Sequence, residues 1–99
     1  MQFFKKAALD ETDYSKLSFK ELIKHIENDW KSIDNNSIEG SLLKALGELE
    51  GIGDVYIADS GYRLVCEFLS NSNKWRSRKS KIIKSELKHR LAEFDTLHD

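Results

Sequence analysis

The chain has 99 residues, 39% hydrophobic and 33% charged, with a net charge of −1, one cysteine and no proline. That length suits a single domain, 1–99, and ten aromatics supply enough apolar bulk to exclude disorder throughout. The lone Cys66 excludes an intramolecular disulfide, no apolar run reaches the length of a membrane span, and no signal-peptide pattern opens the chain, so a cytoplasmic protein is expected.

Residues 1–17, MQFFKKAALDETDYSKL, have no clean period and are expected to be partly irregular, with Phe3 and Phe4 available to dock as a short strand or turn. A helix over about 19–33 follows. Ser18 with Glu21 three residues on is a capping box, and Leu17 with Leu22 forms a hydrophobic staple across the helix start. Phe19, Leu22, Ile23, Ile26, Trp30 and Ile33 then recur at helical spacing.

Asp34-Asn-Asn-Ser37 breaks that run, and Asn36 with Glu39 offers a second cap of the same logic. Ile38, Leu42, Ala45, Leu46 and Leu49 predict a helix to about residue 50, which Gly51 and Gly53 end. Gly40 and Gly47 weaken it by roughly 1 kcal/mol each relative to alanine, a cost tolerated where another element packs close.

DVYIADSGYRLVCEFL reads as a β-hairpin over 54–69 with a turn at Asp59-Ser-Gly61. Tyr62, Leu64, Cys66 and Phe68 would share one face. A lone hairpin is marginal unless it packs on helices or gains a strand, here from residues 2–8 or from a second copy of the chain. The expected fold is therefore a single α+β domain of order α-α-β-β-α, three helices packed on a small antiparallel sheet, with a tendency to form a homodimer.

The last helix, ending near Leu97, comes out of NKWRSRKSKIIKSELKHR, where eight of eighteen residues are Lys or Arg. Ile83, Leu87, Leu91 and Phe94 form its apolar line; Lys74, Arg78, Lys81, Ser85 and Lys88 fall on the opposite arc. Arg76 would lie on the apolar line, so the helix is expected to start near Ser77 or Ser80, with Lys74, Trp75 and Arg76 in a lead-in loop. Charge is segregated along the chain. Residues 1–73 carry thirteen acids and eight bases, a net of −5, and residues 74–99 carry eight bases and four acids, a net of +4.

No catalytic, cofactor or metal constellation accompanies these elements. Cys66 sits among apolar residues as a small hydrophobe, and no histidine pair has ligand spacing. Glu86-x-x-His89 matches a carboxylate-bridged metal motif that needs a second copy, and only one is present. The glycines of GELEGIGD follow a helix and precede a strand, the reverse of a phosphate loop. The α-α-β-β order resembles a winged helix in element order alone. Its reading helix would offer Glu39, Lys44, Glu48 and Glu50, a poor match to phosphate.

The basic stretch is the one candidate site: Lys74, Trp75, Arg76, Arg78, Lys79, Lys81, Lys84 and Lys88. A charge run is usually a solvated face. Here the bases crowd a helix N-terminus and the acids Glu93, Asp95 and Asp99 its C-terminal end, each placement against the macrodipole by roughly 0.3–1 kcal/mol. Nearby anions would offset that cost, whether phosphates, with Trp75 stacking on a base, or an acidic protein surface. The expected function is a small non-enzymatic binding or regulatory protein acting by protein–protein contact, itself or another protein being the partner. Nucleic-acid binding through residues 74–88 is the alternative, and no membrane partner is expected.

Overall fold

The computed structural model describes residues 12–56 and 59–97. Among them the chain is all-helical. A 3-10 turn at Tyr14–Lys16 precedes four α-helices: α1 Phe19–Asp29, α2 Ile38–Gly47, α3 Gly61–Ser70 and α4 Arg78–Leu97. Extended pairing among the described residues is confined to a two-residue ladder, Val55↔Ser60 and Tyr56↔Asp59. The α+β expectation is therefore overturned: the second half of the supposed hairpin is helix α3. The proposed extra strand at residues 2–8 lies outside the described residues.

The capping box that predicts α1 is present. Ser18 Oγ accepts from the Glu21 backbone N–H at 3.1 Å, and the Ser18 N–H donates to Glu21 Oε1 at 2.8 Å. Phe19, Leu22, Ile23 and Ile26 are buried along its inner face. The helix stops at Asp29, short of the expected 33, because Trp30 leaves helical geometry at φ −100, ψ 68. Trp30 is still buried.

Ser37, not Asn36, caps α2. Its hydroxyl accepts from the Gly40 N–H at 3.0 Å and donates to the Asp34 carbonyl at 2.5 Å. That shift of one residue leaves Ile38 at the helix start and 66% exposed, while Leu42, Leu43, Ala45, Leu46 and Leu49 face the core. The close-packing explanation fits Gly40: a Cβ there would stand 2.1 Å from the Asp34 carbonyl oxygen. It does not fit Gly47, where the nearest atom is Glu27 Oε2 at 3.6 Å.

α3 forms for reasons that the hairpin reading misassigned. Ser60 is an N-cap rather than a turn residue, accepting from the Arg63 N–H at 3.2 Å. Gly61 lies against backbone, where a Cβ would meet the Ile52 carbonyl oxygen at 2.7 Å. Burial of Gly61, Leu64, Val65 and Phe68 follows i, i+3, i+4 and i+7, a helical stripe, and Tyr62 and Cys66 are only half-buried. On the outer side Arg63 Nε donates to Glu67 Oε2 at 2.9 Å, an i, i+4 pair available only to a helix. α3 packs chiefly against α2, and α1 packs on both α2 and α4.

α4 begins after Ser77, as the wheel requires. Ile83 and Leu87 are fully buried, Leu91 and Phe94 pack partly on the core, and Ser80 at 1% exposure extends the line towards the N-terminus. Arg90 clamps the 3-10 turn to this helix, its Nη2 donating to the Tyr14 and Leu17 carbonyls at 2.8 and 2.7 Å. Glu86 Oε2 accepts from Arg90 Nε at 2.6 Å.

Candidate functional site

The loop between α3 and α4 divides the basic stretch into structural and solvent-facing parts. Asn71 ends α3, its N–H donating to the Glu67 and Phe68 carbonyls at 3.1 Å. The Trp75 N–H donates to the Ser72 carbonyl at 3.0 Å, closing a turn that swings the indole inward. Trp75 is 2% exposed and stacks on Trp30 with centroids 5.8 Å apart and planes 4° from parallel. Its Nε1–H donates to Asp29 Oδ2 at 2.7 Å. The same carboxylate oxygen accepts from Ser77 Oγ, and Ser77 Oγ in turn accepts from the Ser80 N–H at 3.0 Å. Asp29, Trp75 and Ser77 thus tie the end of α1 to the start of α4. Trp75 has no face left for a nucleobase.

Lys84 is also committed to structure. Its Nζ donates to the Ser72 and Trp75 carbonyls at 2.8 and 2.9 Å and stands 5.6 Å from the Trp75 ring centroid. Burial pushes the ammonium below the ordinary lysine value, and the like charges of Lys88 and Arg76 add to that.

The other candidates face solvent. Lys74, Arg76, Arg78, Lys79, Lys81 and Lys88 are all exposed. Arg76 is anchored at one end, its Nε donating to the Asn73 carbonyl at 3.0 Å. Lys81 and Lys88 lie two turns apart on α4, roughly 10 Å along the axis, with Ser85 between them. Lys79 stands off this line. The helix has no acid in its first turn and no base in its last, so the charge placement against the macrodipole persists in the folded chain. Among the described residues, ion pairs join Lys20 to Glu50, Arg63 to Glu67, His89 to Glu93 and Arg90 to Glu86; no carboxylate pairs with Lys74, Lys79, Lys81 or Lys88.

Two open grooves flank Lys81. One, of about 590 Å³, is lined by Asn73, Trp75, Arg76, Ser80, Lys81 and Lys84. The other, of about 560 Å³, runs between the 3-10 turn and α4 and mixes Lys81 and His89 with Asp13 and Glu86. Sequence reasoning missed Asn73, Ser80 and Asp29. The signal for Ser80 was its place four residues before Lys84 and seven before Leu87, on the buried side.

The remaining chemistry is sparse. No group of three His, Cys, Asp or Glu side chains among the described residues is arranged to hold a metal. Burial, with Asp95 and Glu67 contributing, pushes the Cys66 thiol up, away from the nucleophilic thiolate. No described helix is long and apolar enough to cross a membrane. Comparison with protein-family profiles, curated proteins and solved structures finds no match.

Proposed function

We propose that this chain is a non-enzymatic binding protein that docks an acidic protein surface on the outer basic face of α4 and its lead-in loop. One observation carries the reading: Lys74, Lys79, Lys81 and Lys88 are exposed on a rigid helix and its anchored loop, with no carboxylate partner among the described residues. Lysines meant only for solubility need no such segregation, and helix stability alone would favour acids at this end. An acidic surface laid on the face supplies the missing counter-charge and sets orientation and on-rate.

A protein partner is favoured over nucleic acid because Trp75, the aromatic ring beside the basic face, is buried. Among residues whose burial is described, no Trp, Phe or Tyr is exposed, whereas single-strand binding draws about 1–3 kcal/mol per base from stacking on aromatic rings. Self-association loses the hairpin edge on which it was expected. A second copy remains a source of acidic surface, since residues 1–73 carry a net charge of −5.

Fluorescence anisotropy with a labelled oligoglutamate peptide at low salt tests this reading. The wild type captures the peptide, and the triple variant Lys74→Glu, Lys81→Glu, Lys88→Glu weakens capture at least tenfold with its melting temperature little changed. Equal capture by the variant, or none by the wild type, contradicts the reading. Tighter capture of a single-stranded oligonucleotide of equal charge transfers the face to nucleic acid.

A further inference from the structure

The groove at the start of α4 differs from the rest of the basic face, because three cations line one concavity and, among the described residues, no carboxylate does. Arg76, Lys81 and Lys84 share it with Asn73 and Ser80. Lys84 is a fixed point charge, held at Nζ by the Ser72 and Trp75 carbonyls with one of its three protons left over. Arg76 is held at Nε by Asn73, which leaves its two Nη groups as a fork. Lys81 is exposed at the rim. Like charge reaches Lys84 both from within the groove and from outside it: its ammonium is disfavoured first by burial, then by Lys88 one turn further along α4, and then by Arg76. The Ser80 N–H is not a donor here, since it already donates to Ser77 Oγ.

We infer that this groove is a subsite for a phosphoryl dianion carried on the acidic protein partner, an inference that rests on the docking reading above. Charge count favours phosphoryl over carboxylate. A phosphorylated side chain brings about −1.5 to −2 charges and three acceptor oxygens, against one charge and two oxygens for Glu or Asp. Three cations, one of them an Arg fork, match the former. A nucleic-acid phosphodiester is a monoanion whose neighbouring bases seek stacking surface, and the aromatic wall of this groove is Trp75, buried against Trp30. A phosphopeptide needs neither.

The test uses two acidic peptides identical except for a central phosphoserine or glutamate, titrated against the intact protein. The phosphopeptide should bind about tenfold tighter. Arg76→Gln with Lys81→Gln should abolish that preference, and Lys88→Gln, outside the groove, should weaken both peptides and leave the preference intact. If the two peptides bind alike, or the preference survives the double variant, the subsite is wrong while the docking reading stands. If neither peptide binds, the docking reading fails and the subsite with it. Competition by a phosphorylated oligonucleotide as strong as by the phosphopeptide would overturn the protein source.

Discussion

Asp29 accepts from both Trp75 and Ser77 on one carboxylate oxygen, so a single side chain fixes where α4 begins. Removing it by Asp29→Ala leaves a buried indole N–H without an acceptor, and about 1–3 kcal/mol of stability should be lost in urea unfolding. Trp75→Ala removes a fully packed ring that touches Trp30 and Phe68, and the loss should reach about 3–5 kcal/mol. Lys79→Ala, in the same stretch, should stay within about 0.5 kcal/mol. Tyr62 offers a titration test. Its hydroxyl donates to Asp95 Oδ2 at 2.7 Å, and that bond, reinforced by burial, pushes the phenol up to about 12. The folded state therefore holds the proton more tightly than the unfolded chain, whose ordinary value is 10.0. Its contribution is complete below pH 10 and is lost as pH rises through 12. Stability of Tyr62→Phe should lack that alkaline component in melts followed across the same range.

At the scale of elements, α1 was readable because its signals agree: a capping box, a long apolar stripe and no competing period. α3 was not, because GYRLVCEFL satisfies two periods at once. Leu64, Cys66 and Phe68 alternate as in a strand, while Gly61, Leu64, Val65 and Phe68 fit a helix, and Ser60 at the cap with the i, i+4 pair Arg63–Glu67 separates the readings. Ser60→Ala should therefore cost about 1 kcal/mol. The two glycines of α2 separate packing from propensity. Gly40→Ala drives a methyl into the Asp34 carbonyl and should destabilise despite alanine's better propensity. Gly47→Ala meets only an ordinary contact with the carboxylate of exposed Glu27 and should stabilise, by up to ~1 kcal/mol. Opposite shifts in denaturation midpoint would bear this out.

Over the whole molecule, charge segregation was visible in the sequence, and its distribution over loop and helix largely so: the lead-in loop and the Ile83–Leu87 line fall where the wheel puts them. What the wheel could not supply is the inward turn of Trp75, which depends on Asp29 arriving from the end of α1, and the capture of Lys84 by two loop carbonyls, which depends on the 72–75 turn lying against α4. The candidate site is accordingly narrower than the basic stretch: an exposed lysine face with one cationic groove at its head. Its binding should weaken with added salt, as exposed charges are screened beyond about 10 Å at 0.1 M. In the proposed docking an acidic protein segment lies on this face while Trp75 stays in the core. A nitrogen–proton NMR titration with the oligoglutamate peptide reads both halves at once. Shifts should concentrate at Lys74, Lys81 and Lys88, with the Trp75 indole signal unmoved. Shifts centred on α2, or a Trp75 indole that moves as far as the lysines' own amides, would contradict it.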